Sequence, residues 1–233
     1  EAVRAVNTAA DMDLVAALGS ADPLTKLLDV KADVIIDLTV PTATEANVRF
    51  AVEHGIHAVV GTTGWDEERL SSLKQLLGEH PGVGVLIAPN FAIGSILATE
   101  FAAKAARYFE SAEIIEIHPP NKVDAPSGTA AHTARKVAAA RDAAGVGASP
   151  DATETDPLGS RGAKIDGISV HAVRLRGMVA HQEILLGDTG QLLTIRHDSF
   201  DRASFMPGVL LGVREVASHP GLSVGLDNYL ELS

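Results

Sequence analysis

The stretch Ala32–Gly64, with the sequence ADVIIDLTVPTATEANVRFAVEHGIHAVVGTTG, decides the fold of this chain. It opens with Ala32–Leu38, an apolar run of the kind found in buried parallel strands. A helix follows Pro41 and ends near Glu53, just before a glycine suited to a left-handed helix cap. His57–Val60 predicts a second strand, so the whole stretch predicts a strand-helix-strand unit of a parallel sheet.

The same alternation of strand and helix continues on both sides of this unit. Upstream, Met12–Leu18 predicts a short strand before a Gly-Ser turn. Downstream, Asp66 caps a helix with one leucine-rich face, and Val83–Ala88 predicts the next strand. We therefore predict an α/β fold with a Rossmann-type parallel sheet, in a dinucleotide-binding domain formed by residues 1–92 and 203–233.

The beginning of this predicted domain differs from the usual Rossmann pattern. Such a domain ordinarily opens with a strand and a glycine-rich turn that receives the pyrophosphate of the cofactor. Here the sequence opens on Glu1–Val6, which has the character of the helix that follows that turn. About fifteen residues, one strand and its loop, are missing relative to the expected unit. Two explanations remain open: the sequence is trimmed, or the protein has lost its phosphate loop.

Residues 93–202 predict a second, α+β domain. Two helices are expected, Ser95–Phe109 and an alanine-rich helix after residue 127, together with four strands at Ala112–Ile117, Ile168–Leu175, His181–Leu186 and Leu192–His197. The tetrapeptide Gly187–Gly190 between the last two strands is a hairpin signal. We expect a mixed or antiparallel sheet here.

The composition excludes several classes of protein. No run of about 18 apolar residues predicts a membrane span, and the N-terminus lacks a basic-then-apolar signal pattern. Cysteine is absent, which excludes disulfides, thiol nucleophiles and cysteine-ligated zinc, and fits a cytoplasmic enzyme. The formal net charge of −11 argues against nucleic acid as a partner. It also means that a site for an anionic ligand must carry its own local positive charge.

The segment Glu116–Ala130, EIHPPNKVDAPSGTA, carries the most chemistry. His118 belongs to the residue type whose unperturbed pKa lies nearest neutrality and which can therefore carry a proton, and Lys122 is a compact cation on a flexible stem. The Ser-Gly-Thr run at 127–129 opens a helix whose first backbone N–H groups favour an anion. An acid, a cation and an anion cradle within about a dozen residues indicate a site for an anionic small molecule.

Two further motifs follow strands of the first domain, at the edge where open α/β sheets bind ligands. These are Gly61–Gly64, GTTG, and Ala88–Phe91, APNF. The glycines allow a close backbone approach, and the hydroxyls of Thr62 and Thr63 can donate to an amide or a ribose. Taken singly, each motif could also be an ordinary turn, with Phe91 in the core.

In this order, the three motifs resemble those of the dihydrodipicolinate reductases (4-hydroxy-tetrahydrodipicolinate reductases), and the resemblance extends over nearly the whole chain. That family's signature is usually Glu-x-His-His-x-x-Lys-x-Asp-Ala-Pro-Ser-Gly-Thr-Ala. The resemblance implies NAD(P)H-dependent reduction of 4-hydroxy-tetrahydrodipicolinate, or dihydrodipicolinate, to tetrahydrodipicolinate in the diaminopimelate route to lysine. It also implies a cytoplasmic homotetramer assembled through the second domain, residues 93–202, which would bind the dicarboxylate substrate.

The same resemblance implies roles for individual residues. His118 and Lys122 correspond to the catalytic pair, and the substrate would be held by Lys122, Ser127, Gly128 and Thr129. The nicotinamide cofactor, NADH or NADPH, would contact Gly61, Thr62, Thr63, Ala88, Pro89, Asn90 and Phe91. No acid stands at Gly19 or at the next residue to bind a ribose hydroxyl, so weak discrimination between the two cofactors is expected.

One position departs from the family pattern. The second histidine of the signature is Pro119 here, which has neither a polar side chain nor a backbone N–H. One hydrogen bond to the substrate is therefore missing, which predicts reduced affinity or altered selectivity. Two alternatives stay open: another NAD(P)-dependent oxidoreductase with a shifted substrate, or a non-catalytic ligand-binding relative.

No metal site is expected, because no His-x-x-x-His or carboxylate spacing typical of metal ligands occurs. The histidines of the last three strands, His171, His181 and His197, are assigned to structure or to subunit contacts.

Overall fold

The computed structural model describes residues 1–230 and contains two compact units, each with its own sheet. One unit comprises Glu1–Ala92 together with the described residues from Phe205 onward, and the other is Ile93–Ser204. None of the helices in residues 1–230 is long and apolar enough to cross a membrane.

The first unit contains a four-stranded sheet in which every pair of strands is parallel. Its elements before the second unit are α1 (Ala2–Thr8), α2 (Lys26–Asp29), β1 (Val34–Asp37), α3 (Thr44–Glu53), β2 (His57–Val60), α4 (Glu67–Glu79) and β3 (Gly84–Ile87). The predicted strand-helix-strand unit is thus confirmed. Gly55 has φ of +75°, and the carboxylate of Asp66 accepts from the N–H of Arg69 at 2.9 Å, as the two helix-end signals predict.

The second unit follows with a five-stranded sheet. Its elements are α5 (Ile93–Ala106), β4 (Ser111–His118), α6 (Gly128–Ala143), β5 (Ala163–Ile165), β6 (Ile168–Arg174), β7 (Ala180–Asp188) and β8 (Gln191–Ser199). The strand order is β5-β6-β4-β7-β8; β4 and β6 are parallel and the other pairs are antiparallel, so the sheet is mixed. Asp188 pairs with Gln191 across the predicted hairpin turn.

The chain completes the first unit with α7 (Met206–Glu215) and β9 (Gly221–Val224), which pairs with β3. Helix α7 packs very closely on the sheet. A Cβ on Gly208 would lie 2.0 Å from the carbonyl oxygen of Phe91, and one on Gly212 would lie 2.9 Å from a methyl of Leu86. Both positions therefore require glycine, and the sheet edge that ends in Phe91 is held by this contact.

One predicted strand is wrong. Met12–Leu18 is not a strand, although its side chains alternate between exposed and half-buried. A strand is defined by hydrogen bonds to a neighbour, and no described strand pairs with this segment. Its alternation alone therefore gave a misleading signal.

The core of the second unit places the functional segment. Along β4, Ala112 and Ile114 point into an aliphatic core against α5 and α6, where small residues such as Ala102 and Ala134 let the helices approach closely. Glu116 follows with the same side-chain direction and is fully buried. A carboxylate on a core face costs several kcal/mol unless it is paired, so this residue demands partners.

Candidate active site

Glu116 meets that demand with four hydrogen bonds. Arg174 binds it in a two-pronged ion pair, with Nη1 at 2.8 Å from Oε2 and Nη2 at 2.9 Å from Oε1. The backbone N–H of Ser127 donates to Oε1 at 3.1 Å, and Nδ1 of His118 lies 2.5 Å from Oε2. The parallel register of β4 and β6 sets His118 beside Arg174, which explains why these side chains converge.

The charges at this cluster follow from those contacts. Burial raises the pKa of Glu116, but the hydrogen bonds from Arg174, His118 and Ser127 outweigh it and hold the pKa below its ordinary value. Glu116 is therefore an ionised carboxylate, which only accepts hydrogen bonds. Nδ1 of His118 must then be the donor, and this leaves Nε2 as the position whose protonation can change.

His118 itself is kept neutral. Burial lowers its pKa, and the nearby charges of Lys122 and Arg174 add to that effect; the hydrogen bond and charge of Glu116 raise the pKa without restoring the ordinary value. At neutral pH the imidazole therefore carries a lone pair on Nε2 and can act as a base.

Lys122 lies on the turn after β4. Its backbone N–H donates to the carbonyl of Pro119 at 3.1 Å, and Nζ donates to Oδ1 of Asp124 at 2.7 Å. Its side chain is 23% exposed and that of Asp124 50%. The hydrogen bond from Lys122 lowers the pKa of Asp124, and the N–H of Gly128 contributes in the same direction. Asp124 thus places a carboxylate between the lysine and the start of α6.

The start of α6 is shaped by Ser127. Its hydroxyl accepts from the N–H of Ala130 at 3.2 Å as the helix cap, while its own N–H is bound to Glu116. Ser127 is buried, whereas Gly128 is exposed and Thr129 is half-buried. A Cβ built on Gly128 would meet no atom within 4 Å, so open space lies above this position. The helix N-terminus is therefore accessible to an anion at Gly128 and Thr129.

The structure thus brings together all five residues that the sequence assigned to catalysis and substrate binding in the second unit. It also adds two that the sequence analysis did not assign, Glu116 and Arg174. A signal for them exists: a glutamate inside the apolar run of β4 predicts a cationic partner. The identity of that partner depends on the pairing of β4 with β6.

The other motif residues lie at the carboxyl ends of β2 and β3 in the first unit. Thr63 and Pro89 are exposed, Gly61 and Asn90 are half-buried, and Thr62, Ala88 and Phe91 are buried. Thr62 does not direct its hydroxyl proton outward: it donates to Oδ1 of Asp37 at 2.7 Å. The carboxamide oxygen of Asn90 accepts from the N–H of Ala92 at 2.9 Å and stabilises the turn.

These residues fit a nicotinamide group. A Cβ on Gly61 would lie 2.6 Å from a methyl of Leu38 and 2.9 Å from the ring of Phe91, so only glycine leaves this edge open. Leu38 is 46% exposed and Val40 54%, so two aliphatic side chains are open to solvent just after β1. A flat apolar ring with a polar carboxamide matches an edge of exposed aliphatic side chains beside threonine hydroxyls.

The turn at Gly19 contains an acidic residue, Asp22, three residues after the glycine. Asp22 accepts from the N–H of Gly19 at 2.8 Å and pairs with Nζ of Lys26 at 2.5 Å. Its charge is therefore balanced by a cation on the next turn.

Two of the three histidines that were assigned to structure or to subunit contacts, His171 and His181, have protein partners. His171 lies 2.8 Å from Glu113, and His181, which is buried, lies 2.7 Å from Asp198. Within residues 1–230 no group of three or more His, Asp or Glu side chains could hold a metal ion.

Two family models together match nearly the whole chain. The family model described as "Dihydrodipicolinate reductase, N-terminus" matches residues 1–91, and the one described as "Dihydrodipicolinate reductase, C-terminus" matches residues 94–230. The 4-hydroxy-tetrahydrodipicolinate reductase of Streptomyces griseus subsp. griseus is 58% identical over 233 residues, which are 100% of this chain and 93% of the relative. That of Nocardia farcinica is 58% identical over 228 residues, 98% of this chain and 92% of the relative.

A solved structure is also similar over nearly the whole length. The dipicolinate-bound dihydrodipicolinate reductase from Paenisporosarcina sp. TG-14 superposes with a TM-score of 0.84 at 38% identity, covering 98% of this chain and 94% of that one. The family models, the relatives that match over nearly the whole chain, and the fold all indicate the same family. The chain belongs to the dihydrodipicolinate reductase family of nicotinamide-dependent reductases.

Proposed function

We propose that this chain reduces 4-hydroxy-tetrahydrodipicolinate, by way of dihydrodipicolinate, to tetrahydrodipicolinate with NADH or NADPH, in the diaminopimelate route to lysine in the cytoplasm. The observation that carries the proposal is the cluster around Glu116. It joins a neutral His118, a lysine and an open helix N-terminus, which is the set of groups that a dicarboxylate undergoing proton transfer needs.

The second unit would hold the substrate. One carboxylate would accept from the backbone N–H groups of Gly128 and Thr129, where the dipole of α6 favours negative charge. Ser127 fixes this helix start by its cap and by its bond to Glu116. The ammonium of Lys122 would balance the carboxylate charge once it leaves Asp124. Because the chain carries a net charge of −11, these local groups must provide the attraction.

His118 is suited to carry one proton through the whole reaction. Loss of water from the 4-hydroxy substrate removes a proton from the carbon next to the imine, and reduction returns a proton to that same carbon. Nε2 of the neutral His118 would accept the first proton and give back the second. Lys122 would protonate the departing hydroxyl and regain its proton from solvent. Overall, one substrate, one reduced cofactor and one proton give product, oxidised cofactor and water.

The first unit would hold the nicotinamide, which supplies the hydride when it is bound. Gly61, Thr62 and Thr63 would contact it on one side, and Ala88, Pro89, Asn90 and Phe91 would form the neighbouring strand end. Buried Phe91 and Ala88 keep this edge rigid, since both pack within the unit. A rigid edge supports hydride transfer by limiting the positions that the ring can take.

The turn at Gly19 supports the proposal that the protein accepts both cofactors. Asp22 is engaged with Lys26, so it neither offers a free acceptor for a ribose hydroxyl nor strongly repels a 2′-phosphate. We expect kcat/KM values for NADH and NADPH within about tenfold of each other, a difference of roughly 1.4 kcal/mol.

A homotetramer is part of the proposal. The face of the second sheet that is turned away from α5 and α6 exposes Leu192 (65%) and Val173 (38%), among charged residues such as Arg196. Light scattering on the purified protein tests this, and a monomeric mass at micromolar concentration would contradict it.

Turnover with freshly generated substrate is the direct test. We expect oxidation of NADH and NADPH by the wild-type chain and its loss, by roughly 10²-fold or more, in His118→Ala and Lys122→Ala. Lys164→Ala is a control, because Lys164 pairs with Asp151 elsewhere in the second unit. An equal loss in this control, or turnover that survives in the His118 and Lys122 variants, would contradict the assignment.

Pro119 should make binding of the substrate weaker than a histidine would. Its carbonyl accepts from Lys122 in the turn, but it offers no side-chain donor. Pro119→His is expected to lower KM for the substrate about fivefold, the effect of one added hydrogen bond. If KM does not fall in Pro119→His, and the wild type turns over a related cyclic imine better than this substrate, Pro119 marks a shifted substrate specificity instead.

A further inference from the structure

Asp37, at the end of β1, is a buried carboxylate to which the mechanism above gives no role. It is 3% exposed. Its Oδ1 accepts from the N–H of Thr39 at 3.1 Å, from the hydroxyl of Thr39 at 2.8 Å and from the hydroxyl of Thr62 at 2.7 Å. Its Oδ2 accepts from the amide of Asn47 on α3 at 2.8 Å. The carboxylate therefore joins the ends of β1 and β2 to a helix.

The protonation state of Asp37 determines the direction of these bonds. Burial raises its pKa, but the hydrogen bonds from Asn47, Thr62 and Thr39 outweigh burial, and the pKa lies below its ordinary value. An ionised carboxylate accepts and cannot donate. Each threonine hydroxyl has a single proton, so Thr39 and Thr62 both direct theirs at Asp37 and retain lone pairs only.

The two hydroxyls that can only accept hydrogen bonds both lie at the edge where the cofactor is proposed to bind. Thr62 belongs to the motif Gly61–Gly64, and Thr39 is exposed on the neighbouring strand end, next to Leu38. We infer that Asp37 is a positioning residue that makes the hydroxyls of Thr39 and Thr62 obligatory acceptors, so that this edge selects the amino group of the nicotinamide carboxamide. The inference rests on the proposed cofactor site and specifies which half of the carboxamide these side chains bind.

This reverses the expectation from the sequence alone. The motif suggested that the hydroxyls of Thr62 and Thr63 could donate to an amide or a ribose, and donation to the amide would pair Thr62 with the carboxamide oxygen. With the protons held by Asp37, the hydroxyls pair with the carboxamide N–H groups, and the carboxamide oxygen must find a backbone or other donor. A carboxamide can rotate by half a turn about its bond to the ring. Two hydroxyls that only accept would therefore fix the orientation in which the amino group points toward Thr39 and Thr62.

Binding of dinucleotide analogues in the absence of substrate tests the inference without using turnover. Reduced 3-acetylpyridine adenine dinucleotide has a methyl where NADH has the amino group, and so lacks the donor. The reduced thionicotinamide analogue keeps the amino group and changes the oxygen. Titration calorimetry on the full chain would give Kd for all three ligands. We expect NADH and the thionicotinamide analogue to bind about fivefold more tightly than the acetylpyridine analogue.

Variants assign that preference to the residues named. Thr62→Val and Thr39→Val remove a hydroxyl, and at least one of them should bring the acetylpyridine-to-NADH ratio of Kd close to one. Thr62→Ser and Thr39→Ser keep the hydroxyl and should keep the ratio. Asp37→Ala should also lose the preference, while Asp37→Asn, whose carbonyl can still accept from both hydroxyls, should retain it. Thermal unfolding of each variant shows whether the first unit remains folded.

The outcomes separate the inference from the proposed function. A ratio that is lost in the valine variants and kept in the serine variants supports the inference. Equal binding of NADH and the acetylpyridine analogue by the wild type overturns the inference but leaves the cofactor site standing. A preference that survives in both valine variants also overturns it, since another group then binds the amino group. No binding of any dinucleotide overturns the proposed function and the inference together.

Discussion

Nδ1 of His118 lies 2.5 Å from Oε2 of Glu116, a carboxylate with no exposed surface. This contact fixes the imidazole with its proton on Nδ1 and its lone pair on Nε2. Since Arg174 and the N–H of Ser127 occupy the other acceptor positions of Glu116, the carboxylate cannot turn away. The proposed proton carrier is thus oriented by a network that extends from β4 to β6 and to the start of α6.

Glu116→Gln should lower kcat roughly tenfold to a hundredfold while it changes KM for the cofactor little. The glutamine keeps the shape of the side chain but removes the charge that holds Arg174 and selects the His118 tautomer. General acid–base catalysis contributes about 10²–10⁴ to rate, and the loss reflects the part that depends on orientation. Initial rates with saturating substrate measure the change.

Glu113→Gln is the matched control for that variant. Glu113 lies on the same strand, pairs with Arg161 and accepts from His171, and it points to the opposite face of the sheet. We expect kcat within about twofold of wild type. A loss as large as that of Glu116→Gln would mean that any charge change on β4 disturbs the enzyme, and the orienting role of Glu116 would be rejected.

The protonation of His118 should respond to its neighbours in opposite directions. Its pKa lies below the ordinary 6.5 because burial disfavours the imidazolium. Removing a positive neighbour by Lys122→Met should raise that pKa, whereas removing the negative charge by Glu116→Gln should lower it further. Any acidic limb of kcat/KM that belongs to His118 should therefore move to lower pH in Glu116→Gln.

Proton NMR titration of the His118 ring measures these shifts without reference to turnover, with His118→Asn used to assign the signal. A wild-type pKa at or above 6.5 would contradict the lowered pKa of His118, and a pKa above 7 would also contradict the neutral base proposed at pH 7. A shift of the opposite sign in either variant would show that another charge dominates the site.

Local sequence patterns predicted the fold correctly wherever the predicted strand also has a neighbouring strand to pair with. Buried apolar runs and helix caps gave β1, β2 and α4, because each signal lies within a few residues of the element that it defines. Met12–Leu18 shows the limit of this reasoning. Alternation along one segment says nothing about whether a neighbouring strand exists, and here none of the described strands pairs with it.

The same distinction explains what could be predicted of the site. His118, Lys122 and Ser127 lie within one loop, so their proximity follows from the sequence alone. Arg174 lies on a different strand and reaches Glu116 only because β4 and β6 are parallel neighbours with a fixed register. A single sequence does not specify such a register, so the sequence alone does not identify Arg174 as the residue that neutralises the buried carboxylate.

Asp124→Asn should strengthen binding of a pyridine dicarboxylate. The Asp124 carboxylate bonds to Nζ of Lys122 at 2.7 Å and lies close to the N–H of Gly128, and these are groups that we assign to the substrate. A substrate carboxylate must displace it. Exposed ion pairs contribute about 0.2–1 kcal/mol, so the variant should lower Kd for dipicolinate by about 1.4- to fivefold.

Asp151→Asn serves as the control for this change in charge, because Asp151 also faces a lysine and an arginine but lies at another part of the second unit. Calorimetric titration with dipicolinate at low ionic strength gives both values. If Asp124→Asn binds dipicolinate more weakly than wild type, Asp124 aids the site by holding Lys122 in place, and the competition proposed here is wrong.

Gly61→Ala should damage the proposed cofactor edge and destabilise the first unit. The new Cβ would come within 2.6 Å of Leu38 and 2.9 Å of Phe91, and Phe91 is buried against α7 and cannot move freely. Overpacking of this kind costs roughly 1–3 kcal/mol, and the shifted Leu38 would also narrow the space for a nicotinamide ring.

Gly78→Ala in α4 is the control, since its Cβ would meet nothing within 4 Å and alanine favours a helix by about 0.5–1 kcal/mol. Chemical unfolding and NADH titration of both variants should show a loss of stability and affinity for Gly61→Ala only; a Gly61→Ala variant that binds NADH as tightly as wild type would place the nicotinamide elsewhere.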